Sequence, residues 1–285
     1  MNSLNDDYRT LLLPLVQHEG LTRISHEGHT HISSNERTGV DVIQHLKPQV
    51  LSVPIYRLCV PCPRWRRLSP HIPMAETIWQ LMGTEDLKWL NGYAPLVWKP
   101  YAVEGTLAKA YGLRWKWQIG HVIQHLKNDP TSRQIYMSTW DARQDLTEAA
   151  QTPMPPCILG IQFSLYDRQL DLIVYSRSCD IMVGLPHDLM NMGFLLCILA
   201  NELKVSTGTV HMMMSNLHLY ASNVSVANSM LQKEWEDPVP VIVQPWWTRS
   251  HVVEEPICDR IVKDMQAQYV PHIRHAPVYD IRVVR

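Results

Sequence analysis

Neither sign of charge predominates in this chain: 26 Lys and Arg stand against 27 Asp and Glu, a formal net charge of −1. Without a basic field there is no chain-wide attraction for nucleic acid, so any anion must be held by a local cluster of Arg. Long apolar runs are missing too. The longest, "MGFLLCILA" (Met192 to Ala200), is less than half of the roughly 20 residues a membrane-spanning helix needs. The first residues, "MNSLNDDYRT", lack the apolar stretch of a leader peptide, and a cytoplasmic protein without membrane contact is expected. The six Cys (Cys59, Cys62, Cys157, Cys179, Cys197 and Cys258) form no spaced framework, which implies reduced thiols. No internal repeat, low-complexity tract or linker is visible.

Apolar material is sufficient for a sizeable core. Of 285 residues, 46% are hydrophobic and 19% charged, the balance of one large globular domain or two small ones. The first 50 or so residues are polar and His-rich and read as a loop over a surface. In "MAETIWQLMGTEDLKWL", Ala75, Ile78, Trp79, Leu81 and Met82 recur at helical spacing, which predicts a helix with Glu76 near its start and a break at Gly83. Ile161, Phe163 and Leu165, then Leu170, Leu172 and Val174, alternate with polar or small residues on either side of "YDRQ", which predicts a hairpin. A mostly buried helix over "HDLMNMGFLLCILANELKV" and strands in "TVHMMMSNLHLY" and "PVPVIVQPWW" follow. Strands and helices mix without βαβ alternation, so the expected class is α+β with a mostly antiparallel or mixed sheet.

Three groups of side chains invite a chemical reading. His26, His29 and His31 in "HEGHTH" have no acidic or Cys partner and match no metal-site spacing, so no metal is expected. Cys59 and Cys62 in "CVPC" lack a second pair and read as structural. Cys157 differs, because "TPMPPC" holds it rigidly at the start of a predicted strand. A buried thiol is the ordinary reading, yet "RSCD" supplies Arg177, Ser178 and Asp180 at the end of the hairpin. A guanidinium beside a thiol favours the thiolate, and it also binds phosphate bidentately. The residues alone leave both uses open.

These residues fall into an ordered series. Cys157, Gln162 with Phe163, Arg177 with Ser178, Asp180, Gly184-Leu185-Pro186, and His218 with Tyr220 in "NLHLYASN" resemble the thymidylate synthase superfamily, which includes bacteriophage deoxycytidylate (dCMP) hydroxymethylases. Further segments extend the resemblance. "NERTG" with Arg37 is similar to the family's phosphate loop, "AETIWQLMG" to its Glu-bearing helix, "AYGLRW" to its Tyr-Gly segment, and "NDPTSRQ" to its Asp-Pro…Ser-Arg-Arg segment. "APV" (Ala276 to Val278) is similar to its C-terminal closure. Residues 1–285 are then one domain, with 1–35 a divergent N-terminal arm and 279–285 an extra tail.

The resemblance implies a thymidylate synthase-type fold, a large mixed sheet packed with helices, paired through the sheet in a homodimer. It implies that the Cys157 thiolate adds to C6 of a pyrimidine nucleoside monophosphate, so that C5 attacks the one-carbon unit of 5,10-methylenetetrahydrofolate. Arg37, Arg177 and Ser178 would hold the phosphate, with Arg133 reaching into the other subunit's phosphate site. Gln134 stands where the family has a second Arg, one cation fewer. Gln162 and Asp180 fall among the substrate contacts, and His218 and Tyr220 match the pair on the sugar 3′-hydroxyl. Glu76 and Tyr111 match the proton network around the base; Trp98, Asp180 and Val278 match the folate side. Taken singly, a Glu near a helix start serves the helix dipole.

The choice of base is written at one position. In thymidylate synthases the Gly-Leu-Pro turn leads to Phe-Asn, whose amide accepts from uracil N3–H and donates to O4. Here those positions are His187 and Asp188. An ionised carboxylate only accepts and leaves O4 unpaired, whereas cytosine offers its N4 amino group and, with one shared proton, N3. Protonating N3 also makes C6 a better target for Cys157. Without the resemblance, Asp188 is the N-cap of a helix starting near Leu189. With it, the expectation is a folate-dependent dCMP hydroxymethylase of bacteriophage origin, serving modified DNA precursors. A dCMP methyltransferase, which adds hydride instead of water, and a thymidylate synthase acting on dUMP are alternatives; an inactive relative kept for protein or RNA binding is a third. His187 has no assigned role.

Overall fold

The computed structural model describes residues 3–17, 30–35, 39–95, 97–146 and 155–282; His26, His29 and Arg37 lie outside them. In chain order the elements are α1 (Leu4–Val16), β1 (Thr30–Asn35), β2 (Val40–His45), β3 (Gln49–Pro54), β4 (Cys59–Cys62), α2 (His71–Met82), α3 (Tyr111–Trp115), α4 (Gln118–Asn128), β5 (Tyr136–Ser138), α5 (Ala142–Asp145), β6 (Ile158–Tyr166) and β7 (Gln169–Ser176). There follow β8 (Cys179–Asp180), α6 (Gly184–Leu203), β9 (Ser206–Met214), β10 (Leu217–Tyr220), α7 (Val224–Leu231), β11 (Val239–Ile242), α8 (Arg249–Val252) and α9 (Ile257–Ile273). A five-stranded sheet runs β3-β9-β7-β6-β5, a four-stranded sheet runs β1-β2-β10-β8, and β11 pairs with β4. Parallel pairing occurs between β7 and β9 and between β8 and β10, and the other pairs are antiparallel. Mixed sheets with helices packed on them are the expected α+β class.

The predicted hairpin is β6 and β7, with Phe163 opposite Leu172 and Ile161 opposite Val174. Ile161, Phe163, Leu170, Leu172 and Val174 are buried, because a strand sends every second side chain to one face. α6 covers the five-stranded sheet and packs on α2. Leu195, Leu196, Ile198 and Leu199 are fully buried there, each stabilising by about 1.5–3 kcal/mol.

The amino-terminal region corrects the sequence reading. It is not a surface loop: α1 is a helix whose Tyr8, Leu11, Leu12 and Leu15 lie in the core, at helical spacing. Ser3 and Asp6 close a reciprocal capping box at its start, and the Tyr8 hydroxyl donates to the carbonyl of Ile181. Two helix starts also lie earlier than expected. α2 begins at His71, which puts Glu76 sixth in the helix instead of near its start, and α6 begins at Gly184 instead of near Leu189. Gly83 ends α2 as expected, in the left-handed conformation at φ 66°. Gly112 is required where α3 meets α2, since a Cβ there would lie 2.1 Å from the Gln80 carbonyl oxygen. That close approach sets the neighbouring Tyr111 against the site. No described helix is long and apolar enough to cross a membrane.

Candidate active site

The parallel pairing of β8 with β10 sets Asp180 beside His218, and the start of α6, α2 and the Pro155–Cys157 segment close around them. The result is a cavity of about 850 Å3 whose lining includes Glu76, Trp98, Tyr111, Cys157, Arg177, Ser178, Asp180, Asp188, His218 and Tyr220. Its volume is at the upper end for a ligand site, about 300–1,000 Å3, which is room for two ligands side by side.

Cys157 is held from several directions. Its N–H donates to the Tyr111 hydroxyl at 3.2 Å, and its carbonyl accepts from the Arg177 N–H at 2.9 Å. The Arg177 guanidinium donates through Nε to the Pro156 carbonyl at 2.9 Å and through Nη2 to the Pro155 carbonyl at 2.8 Å. Prolines restrict φ, so this clamp fixes a segment that is already stiff. Arg177 thus spends two donors on the thiol's loop, and its Nη1 makes no hydrogen bond among the described residues.

Three carboxyl groups share the cavity. Glu76 is 8% exposed and accepts from Trp98 Nε1 at 2.6 Å; burial pushes its pKa up to about 7, and the Trp98 bond opposes the rise. Asp180 accepts from the Met182 N–H at 2.9 Å, and burial pushes it up to about 6. Asp188 is fifth in α6, whose N-cap is Val183 with no side-chain cap, so the capping role falls away. It makes no hydrogen bond or ion pair among the described residues. Burial, then the negative charges of Glu76 and Asp180, pushes it up to about 8. At neutral pH it is therefore a carboxylic acid, with one donor and one acceptor turned to the cavity.

Several lining residues had no role assigned from the sequence: Gln44, Arg66, Lys109, His187 and Asn216. His218 Nδ1 lies 2.9 Å from Asn216 Oδ1, Asn216 Nδ2 donates to Gln44 Oε1 at 2.5 Å, and Gln44 Nε2 lies 3.2 Å from His31 Nδ1. This chain of side chains crosses β10, β2 and β1. Burial keeps His218 neutral, down to about 4, and burial with the Arg66 charge takes His187 to about 3. Arg66 has its Nε and Nη2 buried without a hydrogen-bond partner among the described residues, donors suited to an anionic or carbonyl group of a ligand. The signal for it was present as three Arg in "RWRR".

Four expected site residues are not in the lining. Arg37 lies outside the described residues. Arg133 is exposed. Gln162, expected among the substrate contacts, lies away from this cavity: its amide accepts from the Tyr175 hydroxyl at 3.3 Å and donates to the Arg133 carbonyl at 3.5 Å, on the face to which strand alternation turns it. Val278 is 69% exposed, since the chain turns its side chain outward there. Among the described residues no group of three or more His, Cys, Asp and Glu is placed to hold a metal ion.

The donors fit the two ligands implied by the resemblance. Trp98 meets Tyr101 and Tyr111 edge to face, with ring centroids 6.1 and 5.9 Å apart, an aromatic side of the cavity beside the Glu76 carboxyl. Residues 17–273 match the family described as "Thymidylate synthase". Among curated proteins, the thymidylate synthase of Buchnera aphidicola subsp. Baizongia pistaciae (strain Bp) is 32% identical over 174 residues, covering 56% of this chain and 64% of that protein. The thymidylate synthase of Buchnera aphidicola subsp. Schizaphis graminum (strain Sg) is 29% identical over 174 residues, with the same coverage. The match thus spans less than two thirds of these relatives' length.

Proposed function

The chain belongs to the thymidylate synthase family, and from that premise we propose that it is a folate-dependent dCMP hydroxymethylase, one domain over residues 1–285 that works as a homodimer. The observation that carries this reading is Asp188, a carboxyl group facing the cavity with its pKa raised to about 8 and no protein partner among the described residues. As an acid it accepts from cytosine N4 through one oxygen and gives its proton to N3 through the other. Uracil O4 is a carbonyl oxygen and far less basic than the imine nitrogen N3 of cytosine, so the same proton does much more for cytosine. Protonated N3 withdraws electrons from C6, where the Cys157 thiolate adds. 5,10-methylenetetrahydrofolate supplies the one-carbon unit. Glu76, whose pKa burial raises to about 7, moves protons around the base, with Tyr111 beside it. Ser178, Nη1 of Arg177 and Arg37 take the phosphate, joined by Arg133 of the partner subunit. His218 and Tyr220 hold the sugar, and Trp98 the folate. Val50 and Tyr136, on the edge strands of the five-stranded sheet, are 51% and 43% exposed and offer apolar surface to a second subunit.

The names of the two Buchnera relatives favour a second reading, a thymidylate synthase acting on dUMP. Incubation with 5,10-methylenetetrahydrofolate and either dCMP or dUMP, labelled with tritium at C5, separates the two. The expected result is tritium release from dCMP and a product with the mass of 5-hydroxymethyl-dCMP. Turnover of dUMP without dCMP overturns the substrate assignment. A methyl product with dihydrofolate formed makes the protein a dCMP methyltransferase.

The Asp188 proton also sets a pH dependence. Because its pKa is raised to about 8, the proton is present below that pH and lost above it. In a kcat/KM profile for dCMP measured from pH 6 to 10, activity falls above roughly pH 8, approaching about tenfold per unit. Asp188→Asn lacks this alkaline limb; a limb of the same shape in that variant assigns it to another group.

A further inference from the structure

One row of side chains crosses the four-stranded sheet on its cavity face. His31 stands opposite Gln44, Gln44 opposite His218 and His218 opposite Asp180, so the row runs through β1, β2, β10 and β8. Directly opposed residues share a face, and Gln44, His218 and Asp180 all line the cavity. Ser33, Val42 and Tyr220, two positions further along their strands, form the next row and line it too.

The hydrogen bonds within the row have a direction. Asn216, two residues before His218, bridges it to Gln44: its Oδ1 lies 2.9 Å from His218 Nδ1, and its Nδ2 donates to Gln44 Oε1 at 2.5 Å. Gln44 Nε2 in turn lies 3.2 Å from His31 Nδ1. Turning both amides over would satisfy the same distances with every donor and acceptor exchanged. One contact breaks this symmetry. The Asn216 backbone carbonyl, which can only accept, lies 3.4 Å from the same His218 Nδ1. Nδ1 therefore carries the proton and shares it between two oxygens of Asn216, and the Asn216 amide is left with its NH₂ towards Gln44. Burial takes the His218 pKa down to about 4, so at neutral pH the ring holds that one proton only. Nε2 makes no hydrogen bond among the described residues and is a bare acceptor.

We propose that Asn216 and Gln44 are positioning residues that fix the tautomer of His218, so that the cavity selects a nucleotide whose sugar presents a hydroxyl donor to Nε2. The proposal rests on His218 holding the sugar, and it deepens that reading by stating which group the sugar must offer. An acceptor-only group at that place, such as a 3′-fluorine or a 3′-O-alkyl oxygen, faces the Nε2 lone pair with no proton between them. The base plays no part in this selection.

The test has two readouts. Nitrogen NMR of the full-length protein with isotope-labelled histidine reads the tautomer directly, the His218 signals being those missing in His218→Gln. The expected spectrum has the proton on Nδ1 and a bare Nε2; a proton on Nε2 overturns the proposal. The second readout is competition binding of dCMP and of dUMP, each against its analogue with fluorine in place of the 3′-hydroxyl. The wild type is expected to prefer the hydroxyl by about tenfold or more. Asn216→Leu leaves only the more distant carbonyl to hold the Nδ1 proton, so both tautomers appear and the preference falls to about threefold or less. Asn216→Asp gives that proton an oxygen again and restores both readouts. Gln44→Met, which lets the Asn216 amide turn over, shifts both in the direction of Asn216→Leu. A folded Asn216→Leu with tautomer and preference unchanged overturns the positioning role; if it does not fold, Gln44→Met and the wild-type spectrum decide. Binding of neither nucleotide overturns the sugar contact whatever the tautomer. The preference is measured with either base, so failure to turn over dCMP refutes the hydroxymethylase reading while this result stands or falls by itself.

Discussion

Cys157→Ala is expected to abolish tritium release from C5 of dCMP, a loss on the order of 10⁴-fold or more, as removal of a covalent nucleophile produces elsewhere. The size follows from the absence of a substitute. Cys179 also lines the cavity, but it is 2% exposed and burial holds its thiol well above the usual range, so little thiolate is available there. The donors that orient the loop are backbone groups and Arg177, and these remain when the sulfur is removed. Binding of dCMP should therefore survive, measured by the quenching of protein fluorescence. Exchange at more than about one hundredth of the wild-type rate would mean that C6 is activated without a thiol adduct.

Asp188→Asn should lower the ratio of kcat/KM for dCMP over dUMP by about 10²-fold or more, the range of a lost general acid. An amide can turn to hydrogen-bond either base, so the loss is not mainly one of binding. What Asn cannot do is give a proton to N3, and without it cytosine C6 stays a poor electrophile. The effect on dCMP should accordingly appear in kcat. Folding is not at stake, because Asp188 caps no helix and its ionised form is repelled by Glu76 and Asp180. A folded variant with an unchanged ratio would show that Asp188 does not read the base.

Parts of this architecture are local and were legible as such. The β6–β7 hairpin follows from alternation around "YDRQ", and the end of α2 from Gly83, because strand faces and helix caps depend on neighbours a few residues away. The order Cys157, Arg177, Asp180, Gly184-Leu185-Pro186, His218 is likewise a property of the chain, and it carried the family resemblance. The first region misled because its His and Ser outnumber the apolar residues of α1, whose spacing nevertheless held the answer in Tyr8, Leu11, Leu12 and Leu15. Gln44 had no readable signal, and Asn216 stood in "NLHLYASN" with nothing to mark it as a partner of Gln44. They meet only because β10 pairs with β2 across more than 170 positions, and a pairing that distant leaves no mark on either segment.

The sequence by itself determined which groups are present and the family they resemble. Tertiary structure alone decided their state. Asp188 is an ordinary acid in an extended chain and becomes a retained proton only when burial and the charges of Glu76 and Asp180 surround it. His218 has two tautomers open to it until β10 pairs with β2 and Gln44 takes the other end of the Asn216 amide. Identity is carried along the chain, whereas desolvation and charge proximity exist only between segments that folding brings together.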